Sequence, residues 1–170
     1  MPLLDRFCNQ AYINVVESAA NTLTTQKLES GYSVLGSIAW VIHRLEYGLS
    51  SAIAQMNSTG DTAQIGLVSL PSTTLTTFSM GSQAVYDFIE LIRYDTGTAA
   101  NANFMQSPYT KDFTNLPGGG LLIAPNPLYL AVKGAGCAGA ITVPLRIYFT
   151  ELELDSDLYR ELFQSRTLVS

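Results

Sequence analysis

Charge is what this sequence has least of. Only 14% of its 170 residues are Asp, Glu, Lys or Arg, against about 25% in ordinary soluble domains. Lysine occurs at Lys27, Lys111 and Lys133 alone. A solitary soluble enzyme keeps a charged skin, whereas a neutral skin suits contact with other protein, because interface cores are depleted in Lys, Glu and Asp. A secreted polar β-domain is the other class that this composition fits. Blocks of cations are absent too. Before Trp40 the only positive side chains are Arg6 and Lys27, and the net charge is −5. An arm that condenses nucleic acid must neutralise many phosphates. This chain is not expected to grip nucleic acid with its N-terminus.

Histidine and cysteine are equally scarce. His43 is the sole histidine, too few for a histidine-based metal site. There is no Gly-x-Ser-x-Gly elbow around which a Ser–His–Asp triad would form. A structural or interface role for His43 is the expectation. Cys8 and Cys137 are not spaced as a ligand pair, and they are read as free thiols. Long apolar runs are missing. Met1–Cys8 has no apolar segment of about 7–15 residues, as a signal peptide requires. No window reaches the roughly 18 apolar residues of a membrane span; the longest, Ile38–Ile42, is strand length. The expectation is a soluble chain made in a cytoplasm, with no catalytic activity, no metal and no cofactor.

What the sequence does have is strand periodicity, most clearly in Gly118–Leu154. Three strands are expected there, at Leu121–Ala124, Leu128–Lys133 and Ile141–Leu154, separated by glycine and proline turns. In the last, Ile141, Val143, Leu145, Ile147 and Phe149 alternate with Thr142, Pro144, Arg146, Tyr148 and Thr150. A period of two buries one face. Short loops between strands point to antiparallel neighbours, so the three are expected to form a meander.

Upstream, Ala11–Glu17 and Leu23–Glu29 are strand-like, and residues 1–10 are expected to form an N-terminal arm. Glu29-Ser30-Gly31 signals a turn. Ser33–Ser37 is expected to turn, with a strand following from Ile38 to Gly48. A bulge near Arg44 would account for the change of phase that turns Leu45 and Tyr47 inward. Ala63–Leu70 is a strand stopped by Pro71. Ser82–Arg93 is expected to be a helix, because Val85, Phe88, Ile89 and Ile92 recur at helical spacing behind a possible Ser82 cap. Phe104–Phe113 is extended. Ser156–Arg166 is expected to be a second helix, capped by Ser156 or Asp155. Ile38, Trp40, Ile42, Val143, Leu145, Ile147 and Phe149 are the expected core between two sheets.

The remaining motifs favour structure over chemistry. Gly118-Gly119-Gly120 opens a strand and lacks the Gly-Lys-Ser/Thr of a phosphate loop, so it reads as a hinge turn. Glu151, Glu153, Asp155 and Asp157 could in principle hold calcium but lack the glycine-centred loop pattern. A solvated strand end running into a helix N-terminus is the better account. Tyr94, Tyr109, Tyr129, Tyr148 and Tyr159 have no interleaved cations, so they suit interfaces better than a base-stacking platform.

The order of elements resembles the single jelly-roll capsid proteins of icosahedral, tailless viruses. The run LLIAPNPLYLAVKGAG…ITVPLRIYFTELEL carries the likeness: a proline turn between two strands, a Gly-rich loop, then a long final strand. The resemblance implies an all-β, antiparallel β-sandwich of jelly-roll type, with about eight strands and two short helices in one domain. It implies a structural shell subunit, made in the host cytoplasm and resident in the virion. Its partners would be copies of itself and, in some shells, a second capsid protein. The missing basic arm departs from many RNA-virus coats. The fold also serves lectins, so a lectin-like or attachment module is the alternative. Cupins share the fold, but their histidine-rich metal site has no counterpart here. Leu158, Leu162 and Phe163 form a small apolar stripe in the tail 156–170, the expected self-assembly contact.

Overall fold

The long C-terminal strand organises the first of two sheets. In the computed structural model, which describes residues 8–28, 38–94, 108–124 and 127–167, the strands in chain order are as follows. They are β1 (Asn9–Val16), β2 (Thr24–Lys27), β3 (Ile38–Tyr47), β4 (Thr62–Val68), β5 (Val85–Ile92), β6 (Tyr109–Asp112), β7 (Leu121–Ile123), β8 (Tyr129–Ala135) and β9 (Thr142–Glu153). Two helices accompany them, α1 (Ser50–Gln55) and α2 (Ser156–Thr167).

One sheet runs β1-β9-β3-β6, with β7 also paired to β3; the other runs β2-β8-β4-β5. Every pairing is antiparallel. β6 pairs with Arg44–Tyr47 and β7 with Trp40–Ile42, so together they act as one interrupted strand beside β3. The result is a jelly roll: two facing four-strand layers between which the chain crosses repeatedly.

This topology corrects the expected meander. β7, β8 and β9 do not pair with one another. β7 and β9 flank β3 in the first sheet, while β8 lies between β2 and β4 in the second. The connections between them cross the roughly 10 Å between layers instead of closing hairpins.

Period-two burial on facing strands builds the core. Trp40, Ile42, Leu45 and Tyr47 of β3 and Val143, Leu145, Ile147 and Phe149 of β9 meet Ala63, Ile65, Leu67, Leu130 and Val132 of the second sheet. The indole of Trp40 stacks on Phe149 with centroids 3.7 Å apart. Of the seven expected core residues, Ile38 alone is only half-buried, because it starts β3 at the sandwich margin. The expected bulge is present: pairing with β9 shifts between Ile42 and Arg44, leaving His43 as the inserted residue.

Ser82–Arg93 is not a helix. Val85–Ile92 is strand β5, with Asp87, Ile89 and Leu91 buried on one face. Its other face is half covered, because Phe88 meets Phe78 edge-to-face at 5.3 Å. Two-sided apolar contact blurs the period of two and imitates a helical stripe. The second short helix is α1 instead, which follows Leu49 and buries Ala52 with Leu49 and Met56 in the core. Of the expected arm, Asn9 and Gln10 belong to β1, and residues 1–7 lie outside the described residues. The Glu29-Ser30-Gly31 turn, the Ser33–Ser37 turn and the extended segment 104–107 also fall outside them.

Candidate assembly surfaces

Among the described residues, the loop between β4 and β5 roofs one outer face of the sandwich, and the other carries exposed side chains. The loop folds over the outside of the second sheet. There Leu75, Ala84, Phe78 and Val85 cover Val68 and Ala131. Gly66 makes this closure possible, since a Cβ there would lie 2.5 Å from the Asp87 carbonyl oxygen and 3.0 Å from the Phe78 ring.

Among the described residues, the outside of the first sheet carries a row of exposed and half-buried charged side chains. Arg44 lies over the Tyr148 ring, 4.1 Å from its centroid. The Tyr148 hydroxyl donates to Glu46 Oε2 at 3.0 Å. Arg44 Nη2 stands 3.2 Å from Glu46 Oε1, and Arg146 Nη1 is 3.7 Å from Glu46 Oε2. Tyr12, opposite Arg146 in register, is 65% exposed at the end of this row. Exposed pairs of this kind contribute little stability. With Asp112, which lies opposite Arg44 in register, the two arginines and two carboxylates leave few unmatched charges on this surface.

Past β9 the chain enters α2. Asp155 caps it: the backbone N–H groups of Asp157 and Leu158 donate to Asp155 Oδ1 at 2.9 and 3.2 Å. The acidic run thus ends in a helix cap, where negative charge is favourable. Leu154 is buried and fixes the point of departure. Beyond it, among the described residues, α2 packs extensively against no strand. Leu158 is 42% exposed and Leu162 is half-buried, while the Phe163 side chain lies outside the described residues. Burial raises the Tyr159 phenol above its usual range.

The chemistry-bearing side chains inside the fold are engaged in holding loops and sheet margins. His43 Nδ1 lies 2.9 Å from the Gly119 carbonyl oxygen, which can only accept, so Nδ1 carries the proton. In the neutral ring Nε2 then accepts from the Thr150 hydroxyl at 2.9 Å. This ties the bulge to the glycine turn. Gly118 and Gly119 have φ of 89° and 77°, and a Cβ on Gly120 would stand 2.7 Å from the Ile42 carbonyl oxygen. The expected hinge turn is therefore present, and glycine is required in it.

Glu17 accepts from the N–H groups of Gly134 (2.6 Å) and Ile141 (2.9 Å). Asp61 accepts from those of Asn57 and Ser58 at 2.8 and 2.7 Å. Cys8 is exposed and Cys137 buried, both as free thiols, and burial raises the pKa of each.

One network spans the sandwich margin at β5 and β6. The Tyr47 hydroxyl donates to Asp87 Oδ2 at 2.6 Å, and Lys111 Nζ donates to Asp87 Oδ1 at 2.6 Å and to the Phe88 carbonyl at 2.8 Å. Burial, then the Asp87 carboxylate, holds the Tyr47 phenol well above its usual range. A raised folded-state pKa favours the neutral form. Its stabilisation is complete below the unfolded phenol value of about 10 and is lost as pH rises beyond it. Wild type should therefore lose stability above about pH 10 more steeply than Tyr47→Phe. Urea titrations at a series of alkaline pH values check this, and parallel slopes would rule it out.

Sequence reasoning found His43, the glycine run, the acidic run and the tail helix. It missed Glu17, Asp61, Asp87 and Lys111. The partners of Glu17 lie more than a hundred residues away, so no local pattern announces them.

Among the described residues no group of three His, Cys, Asp or Glu side chains is placed to hold a metal ion. No helix among them is long and apolar enough to cross a membrane. No family model matches the sequence, and neither a curated protein nor a solved structure matches the chain.

Proposed function

We propose that this chain is a self-assembling shell subunit, a structural protein of the viral-capsid type, without catalytic activity. The observation that carries the reading is α2. It is a capped helix of 12 residues that follows β9, presents Leu158 to solvent and, among the described residues, has no extensive seat on its own strands. So short a helix gains little stability alone and needs packing. A neighbouring subunit supplies that packing, through Leu158, Leu162 and Phe163. The scarcity of charge and the balanced face of the first sheet suit contact between copies. On this reading the protein is made in a host cytoplasm and resides in the virion. Its partners are its own copies and, in a shell of mixed composition, a second capsid protein. The second reading is a lectin-like or attachment module, favoured by the outer face of the first sheet with exposed Tyr12 beside Arg146.

Deleting residues 156–170 separates the two. Under the shell reading, full-length protein sediments as large assemblies, and the truncated chain sediments as small, folded species. Equal assembly by both chains would remove the tail contact. A full-length chain that stays monomeric and binds glycans through that outer face would establish the second reading.

A further inference from the structure

Among the described residues, one strand edge of this sandwich is left undefended. The sheet order puts, among the described residues, β1, β6, β7, β2 and β5 at the edges, and β7 is only three residues long. Natural edge strands are protected from pairing by shortness, charge, proline or cover. β2 and β6 have four residues each and carry Lys27, and Lys111 with Asp112. β5 carries Asp87 and Glu90, and Lys111 Nζ holds its Phe88 carbonyl. β1 has none of these protections among the described residues. It has eight residues, NQAYINVV, with no charge and no proline.

The direction of its free hydrogen-bonding groups follows from one bond. Glu17 N–H donates to the Ile141 carbonyl at 3.0 Å, in continuity with the β1–β9 register. Alternate residues of an antiparallel strand point their N–H and C=O to opposite sides. The odd-numbered residues of β1 therefore face β9. Gln10, Tyr12, Asn14 and Val16 turn their backbone groups outward, and among the described residues no other strand pairs with that side. All four also have exposed side chains.

We infer that this edge pairs with the β1 edge of a second copy, antiparallel about a two-fold axis, joining two first sheets into one continuous sheet. This rests on the reading of the chain as a self-associating subunit and names the surface used. A second copy fits for a geometric reason. Pairing centred on Ile13 sets Tyr12 of one copy opposite Asn14 of the other, and Gln10 opposite Val16. The outward donors and acceptors of these even-numbered residues then meet those of even-numbered residues on the other copy, and the outer faces of both first sheets stay on one side. No charges are brought together, and the contact is isologous, as a two-fold interface must be. The eight uncharged residues offer no handle for a charged partner instead.

Two variants test it in the full chain. Asn14→Pro removes an outward N–H, a place where an edge strand tolerates proline. Tyr12→Lys sets two like charges on diagonal positions across the joint. Sedimentation velocity and amide hydrogen exchange are the readouts. The expected result is self-association weakened about ten-fold or more in both variants, with unchanged circular dichroism. The Gln10, Tyr12, Asn14 and Val16 amides exchange slowly in wild-type assemblies and fast in the variants. If both variants associate as wild type does, or those amides exchange fast in wild-type assemblies, the edge pairing is overturned while self-association stands. A wild type that is monomeric at every concentration overturns both.

Discussion

Replacing Asp87 with alanine is expected to destabilise the fold by about 3–5 kcal/mol, the range for breaking a buried ion pair from one side. The carboxylate is nearly buried, and it receives both the Tyr47 hydroxyl and the Lys111 ammonium at 2.6 Å. Asp87→Ala leaves Lys111 with the Phe88 carbonyl and no counter-charge. It also leaves a fully buried phenol without its acceptor. Lys111 remains partly exposed, and water softens the loss at that end. The double variant Asp87→Ala/Lys111→Met should therefore recover part of the loss, because the orphaned charge is gone. Urea unfolding of the two variants checks both statements. A loss under about 1 kcal/mol for Asp87→Ala would show that the network is not holding the β5–β6 margin.

Ile147→Ala is expected to cost about 2–5 kcal/mol. Ile147 is fully buried on β9, with Ala11 of β1 on one side and Leu45 of β3 on the other. A central strand paired on both sides cannot collapse into the space, so the cavity persists. Ile147→Val should cost only about 0.5–1.5 kcal/mol, since it removes a single methyl group. Equilibrium unfolding gives both values. A change below roughly 0.5 kcal/mol for the alanine variant would mean that this face is not the core.

The parts of the fold that could be read from the sequence are those whose environment is one-sided. β9 alternates cleanly because its outer face carries Arg146 and Tyr148 and its inner face Leu145 and Ile147. The bulge at His43 showed as a change of phase between Ile42 and Leu45. β5 misled because Phe88 and Phe78 form a small second core on its far side, adding apolar residues at the wrong parity. Strand partners were not legible. Loop length alone suggests hairpins, whereas these loops cross between layers. α1 was missed because six residues give less than two turns of period, and no side chain caps it.

The same division holds for the candidate surfaces. The tail helix announces itself through Asp155 and the spacing of Leu158 and Leu162. The exposed edge of β1 is a property of sheet order, and NQAYINVV looks the same on an edge or in the middle of a sheet. Asp87 of β5 and Glu17, just past the end of β1, have partners far along the chain, so their roles exist only once the sheets meet.

The most direct test of the central claim is negative-stain electron microscopy of the purified full-length chain across a range of protein concentrations. Self-assembly through the neutral surfaces and α2 predicts particles of uniform, closed shape that become more numerous as concentration rises. A field of single 18.4 kDa subunits at every concentration, with no co-assembling protein, would contradict it.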